Sequence, residues 1–268
     1  MLCTPGFSFA ETITLKSGKK IEGLITEKTD QYIKVEAEGA PLYFERKFIS
    51  RIDEEAASLT DADCLKEGLK YGSQGKFPEA EEALKKGLAL NSKSGNLQEA
   101  LKLIDRLKDG EINEDYALRL FKGSYDLIIG RFEEAMPEFL AALAINPGAD
   151  LYYYLGVCSY SAGKYEDAIQ YLKKAAEEIK DDGEVYYNLG INYYALRQYA
   201  EAVPYLQKAL EIDPENAEAY GVLGTSHLML GERERAKEEL CKSRDLFRKQ
   251  GDYLKAADVE TFLKQVDT

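Results

Sequence analysis

One spacing recurs five times in this chain and limits what it can fold into. Glycines stand at 68, 123, 156, 190 and 224, and an alanine follows each by twelve residues: Ala80, Ala135, Ala168, Ala202 and Ala236. Four residues further comes a large apolar residue: Leu84, Phe139, Leu172, Leu206 or Leu240. Three beyond that comes a small one: Gly87, Ala142, Ala175, Ala209 or Ser243. Seven residues after the first glycine, four copies place another, Gly75, Gly130, Gly163 or Gly231, and the remaining copy has Arg197. Small residues let two helices cross closely, and a large apolar side chain fills the space beside the crossing. The frame therefore predicts helix pairs stacked in a row, each burying its apolar face on its neighbours.

The clearest copy is 183–216, GEVYYNLGINYYALRQYAEAVPYLQKALEIDPEN. Tyr186, Leu189-Gly190, Tyr193, Ala202, Leu206, Ala209 and the closing Pro214 follow one another as in the 34-residue tetratricopeptide repeat, which this stretch resembles. Proline ends a helix because it lacks the amide donor and clashes one turn back. The resemblance implies a mainly α protein, a right-handed α-α superhelix of about five repeats at 61–94, 116–148, 149–182, 183–216 and 217–250. Between the first two, residues 95–115 hold an inserted helix over 96–108, with Leu97, Leu101, Ile104 and Leu107 on one side. Residues 251–268 are read as a capping helix, with Leu254, Ala257, Phe262 and Leu263 inward.

Residues 11–54 have another period. Apolar and polar residues alternate as in half-buried strands, at Ile13 and Leu15, Ile21 and Ile25, and Ile33 and Val35. Ser17-Gly18 and Thr29-Asp30 mark turns, and Leu42-Tyr43-Phe44 and Phe48-Ile49 suggest two more short strands. The pattern resembles a small Sm-like or SH3-like β-barrel serving as a docking module, with 55–60 as a linker. Sm-like folds elsewhere bind RNA, but acids interleave Lys16, Lys19, Lys20, Arg46 and Lys47 and no aromatic RNA motif is present.

The 268 residues carry a net charge of −13, which opposes a phosphate backbone, so no nucleic acid is expected as partner. No stretch reaches the roughly 18 apolar residues of a transmembrane span. Residues 1–10, MLCTPGFSFA, are apolar and uncharged, and Ser8-Phe9-Ala10 suits a signal peptidase, so they read as the tail of a secretory signal. Cys3 lacks the small residue that precedes a lipidated cysteine. Periplasmic or otherwise exported placement follows, with a cytoplasmic protein as the alternative. Cys64, Cys158 and Cys241 lie in helical patterns without zinc spacing and read as small buried residues.

No P-loop, GxSxG, HExxH or EF-hand loop occurs. His227, the single histidine, falls where the repeat packs between helices. Acid pairs such as Glu133-Glu134 and Asp181-Asp182 lie at helix starts and turns, where they complement the helix dipole. Catalytic, cofactor and metal sites are therefore not expected.

Function is expected in the groove that the repeat's first helices line. The resemblance assigns it Asp150, Tyr153, Val157 and Tyr160 in the third repeat and Glu184, Tyr187, Ile191 and Tyr194 in the fourth. Glu218, Thr225 and Leu228 follow in the fifth. The result is a tyrosine-rich apolar floor with an acidic row, Asp150, Glu184 and Glu218, along one edge. Tyrosine covers much area at small entropic cost, which suits partner binding. Repeats that clamp a carboxylate use Lys, Asn and Arg here; acids at these places repel such a ligand. The expected role is a non-enzymatic scaffold for a protein or peptide segment, with an envelope complex as its setting. The alternatives are a wall-polysaccharide binder and an accessory subunit of a larger enzyme.

Overall fold

The structure, a computed structural model, describes residues 11–17, 19–28, 32–37, 40–54 and 59–266. The reading of residues 1–10 lies outside them, as do Gly18, Thr29-Asp30 and most of the linker. The chain divides into two compact units, one ending at Leu59 and one beginning at Thr60.

In the first unit, the strands are β1 (Glu11–Leu15), β2 (Lys20–Lys28), β3 (Tyr32–Ala37), β4 (Ala40–Glu45) and β5 (Ile49–Glu54). They form one antiparallel sheet in the order β4-β3-β2-β1-β5. Register sets Ile13 opposite both Ile21 and Ile52, and Ile33 opposite Phe44, so apolar positions are paired across strands. The expected barrel is not found among the described residues: β4 and β5 remain the two edges and the sheet is open. Alternation specifies strands and their faces, whereas closure depends on tilt and stagger that alternation does not encode. Phe48 is a second correction. It ends a one-turn 3-10 helix, Arg46–Phe48, and is exposed.

In the second unit, the helices are α1 (Asp61–Gly72), α2 (Phe77–Leu90), α3 (Gly95–Lys108), α4 (Glu114–Ile128), α5 (Phe132–Ile145) and α6 (Ala149–Ser161). They continue with α7 (Tyr165–Glu178), α8 (Gly183–Ala195), α9 (Tyr199–Ile212), α10 (Ala217–Met229), α11 (Arg233–Lys249) and α12 (Tyr253–Val266). The recurring glycines explain the pairing. A Cβ on Gly68, Gly123, Gly156, Gly190 or Gly224 would meet the side chain of Leu84, Phe139, Leu172, Leu206 or Leu240 at 2.5–2.8 Å. Each crossing is thus as close as backbone and side chain allow, and all five large residues are buried. Pro214 lies two residues beyond the end of α9.

Within a pair, the turn carries one left-handed residue: Gly75, Gly130, Gly163 and Gly231 at φ 73° to 83°, and Arg197 at φ 60°. A side chain in that region costs roughly 1–2 kcal/mol. Arg197→Gly should therefore raise stability, by about 0.5 kcal/mol after glycine's extra freedom in the unfolded chain is subtracted. Urea denaturation read by circular dichroism measures it; a loss would mean that the Arg197 side chain makes a stronger contribution than its backbone strain.

The array is interrupted after its first pair. Elsewhere a pair's first helix packs on the preceding second helix, as α6 does on α5 and α8 on α7. Here α3 takes that flank of α2, with Leu97 against Gly87, and α4 docks on α1 instead. Gly72 makes the docking possible, since a Cβ there would stand 2.3 Å from the Phe121 ring. Phe77 packs on the same ring at 5.9 Å between centroids.

At the other end, α12 covers α11 with Ala256, Val259, Leu263 and Val266. The expected inward residues Leu254, Ala257 and Phe262 are exposed, Leu254 by 77%. Two apolar stripes run along this helix, and α11 takes the one with the unbroken 3-4-3 spacing. Cys64 and Cys158 are buried, Cys241 is half-buried, and all three are free thiols. Burial pushes the Cys158 thiol up to about 12.

Candidate interaction groove

Successive first helices touch: α6 meets α8, and α8 meets α10. The second helices approach one another less. The shorter path belongs to the inside of a curve, so α6, α8 and α10 line the concave side of this unit. One face of each is core: Leu151, Leu155 and Cys158 on α6, Val185 and Leu189 on α8, and Ala219 and Leu223 on α10 are buried.

The eleven groove residues read from the sequence occupy the other face. Asp150 and Glu184 are exposed, and Tyr153, Val157, Tyr160, Tyr187, Ile191, Tyr194, Glu218, Thr225 and Leu228 are half-buried. None belongs to the core, yet several lean on it. Tyr153 packs against Ile169, Leu172 and Leu189, while Tyr187 and Tyr194 pack against the Ala202–Leu206–Leu223 cluster. Burial pushes the Tyr153 phenol up to about 12 and raises that of Tyr160 as well. Two groove tyrosines are braced from the next helix: Tyr160 by Tyr165 at 5.7 Å and Tyr194 by Tyr199 at 5.5 Å. Such bracing holds the rings in place before any partner arrives.

Two expected contacts are altered by internal bonds. The Thr225 hydroxyl donates to the carbonyls of Gly221 and Val222, both at 3.0 Å, so this position offers a methyl group rather than a polar one. Glu218 accepts from Lys255 of α12 at 2.7 Å, so one member of the acidic row already holds a cation. Glu184 holds none. Its carboxyl is raised above the ordinary range by desolvation in the concavity and then by Asp182, Asp213 and Glu218.

The first repeat contributes no groove. Its equivalent residues Leu65 and Leu69 are buried in one cluster with Ala100 and Ile104 of α3 and Phe121 of α4. Beside them a cleft of about 310 Å³ opens between α1, α3, α4 and α6, lined by Leu69, Leu103, Arg106, Leu120 and Leu127, with Tyr154 at its α6 wall. The Tyr154 hydroxyl reaches Glu99 of α3 at 3.4 Å across it. Lys255, Tyr165 and Tyr199 were not legible as groove neighbours, because each comes from a helix outside the inner row. His227 is buried as expected, its Nδ1 2.6 Å from Glu239 Oε2. Among the described residues no helix is long and apolar enough to cross a membrane.

Two tetratricopeptide-repeat family models match the chain, over 122–183 and 183–216. Tetratricopeptide repeats are thus present in this stretch, and the helices form a superhelical array of that kind. Among solved structures the chain is similar to YrrB, a TPR protein with an unusual peptide-binding site, at 22% identity and TM-score 0.50, over 74% of this chain and 91% of that one. It is also similar to a chain of the APC/C hetero-tetramer Cut9–Hcn1, at 18% identity and TM-score 0.52, over 77% of this chain and 43% of that one. At these identities the likeness shows the fold. No curated protein matches the chain in sequence.

Proposed function

We propose that this protein is a non-enzymatic interaction scaffold that holds a peptide or protein segment in the concave groove of α6, α8 and α10. One observation carries the reading: α6 and α8 present braced tyrosines, and all three inner helices present aliphatic side chains, on the face opposite the core. A solenoid needs that core, but it does not need a continuous apolar surface on its inner side. The fold likeness to a TPR protein with a peptide-binding site supports the same mode. We place the protein in the cell envelope on the strength of residues 1–10; sequencing the mature amino terminus should then find Glu11 first.

The test of the groove is crosslinking of the full chain in cells, with partners identified by mass spectrometry. Changing Tyr153, Tyr187 and Tyr194 together to Ala should reduce recovery of groove partners at least tenfold, since each large aromatic anchor contributes on the order of 1–2 kcal/mol. Because these tyrosines also lean on the core, Ile191→Glu serves as a second variant. Unchanged recovery with both would place the partner surface elsewhere.

A further inference from the structure

We propose that the groove selects a peptide carrying lysine or arginine at every third position, laid across α6, α8 and α10, with Lys255 of this chain holding the last of the three acidic places. The proposal rests on the groove reading above and adds the partner's chemistry and spacing.

The charge distribution points to it. Helices α6, α8 and α10 contain no lysine or arginine, and each contains one acid, Asp150, Glu184 or Glu218, at the same place in its repeat. Acids in a first turn also favour the helix dipole, but that role does not require cations to be absent. The other first helices mix signs: α1 carries Lys66 and Lys70, and α4 carries Arg119 and Lys122. In this half of the array Lys173 and Lys174 lie on a second helix, α7, where they cover the rings of Tyr193 and Tyr152. The inner row therefore carries an acid on every helix and groove tyrosines on α6 and α8, a surface that attracts a cationic side chain by charge and by ring face.

Lys255 shows the mode within the molecule. It reaches from α12 to Glu218 at 2.7 Å, and the same ammonium lies 5.2 Å from the centroid of the Phe247 ring. Two acids, Glu218 and Asp252 at 3.5 Å, and an aromatic ring together hold this cation. Glu184, one repeat back, has no cation partner among the described residues, and desolvation, then the acids around it, raise its carboxyl. A bound ammonium would lower it again, so affinity should rise as pH climbs above the ordinary carboxylate range.

Geometry sets the spacing. Contacting helices lie roughly 8–10 Å apart. A polyproline-II-like peptide repeats its side-chain direction every three residues, over about 9 Å. Cations three apart therefore match successive acids.

The experiment uses labelled synthetic peptides and the full chain, read by fluorescence anisotropy at low ionic strength. One probe has two lysines three residues apart in an apolar, proline-containing background; matched probes replace both with glutamine or with glutamate. The lysine probe should bind about tenfold tighter than the glutamine probe, which is about 1.4 kcal/mol shared between two exposed ion pairs. The glutamate probe should bind weakest, and added salt should shrink the difference. Glu184→Gln should reduce the tenfold preference to about threefold. A probe with three lysines at the same spacing should gain about threefold on Lys255→Ala, which frees Glu218. Equal binding of the lysine and glutamine probes, with both lost in the Ile191→Glu variant, would overturn the cation preference and leave the groove in use. Binding of none of the probes would overturn both readings. A three-lysine probe indifferent to Lys255→Ala would remove the internal competitor.

Discussion

Gly190→Val should destabilise the fourth helix pair by about 3 kcal/mol. Even the first added atom, a Cβ, would lie 2.5 Å from Cγ and 2.6 Å from Cδ2 of Leu206. Leu206 is fully buried in one cluster with Ala202, Leu210, Ala219 and Leu223, so its branch point has nowhere to move. Valine's better helix propensity returns only a few tenths of a kcal/mol. Stability in a stacked array is a sum of repeat and interface terms, so the loss should appear first as faster hydrogen exchange in α8 and α9. Leu206→Ala alone opens a cavity and should cost about 2–5 kcal/mol. Combined with Gly190→Val it should cost much less, because each change supplies what the other lacks. Gly95→Val is the control: nothing lies within 4 Å of a Cβ there, and the change should be close to neutral. A loss below about 1 kcal/mol for Gly190→Val would mean that α8 and α9 can separate without penalty.

That crossing shows why the array was legible in the sequence. A glycine facing a large apolar residue sixteen positions later is a contact written at fixed spacing, and five copies repeat it. The exposed face followed from the same frame, so the eleven residues could be assigned to it from the repeat's spacing alone. Contacts that break the frame were hidden. Gly72 accepts Phe121 of α4, but nothing separates it in the sequence from other helical glycines. Glu218 and Lys255 come from different helices, and only the docked position of α12 joins them. That helix carries two apolar stripes, and the choice between them is made by α11 rather than by local pattern. The open sheet has the same origin. Its strands are visible as alternation, while the pairing of its edges is a property of twist and bulges, such as the register shift between Ile25 and Glu27.

The largest polar effect should come from His227→Leu, at about 2–3 kcal/mol near pH 7. The imidazole is 3% exposed, and its Nδ1 lies 2.6 Å from Glu239 Oε2 on α11, with Glu232 at 3.8 Å from Nε2. Leucine fills similar volume, so the loss isolates the electrostatic part. Burial already raises the Glu239 carboxyl above its ordinary range, and the histidine is the strongest influence pulling it back. Without that partner the carboxyl rises further. A carboxyl whose folded value is raised favours folding in its protonated form, so its contribution is present at low pH and is lost as pH rises through the folded value. The variant should therefore lie close to the parent near pH 4 and fall away from it towards pH 8. Denaturation midpoints across that range measure the divergence. His227→Leu combined with Glu239→Leu should recover most of the loss, because no buried charge is then left alone. A pH-independent loss of the same size would instead assign His227 to packing, with its contact to Glu239 contributing nothing between α10 and α11.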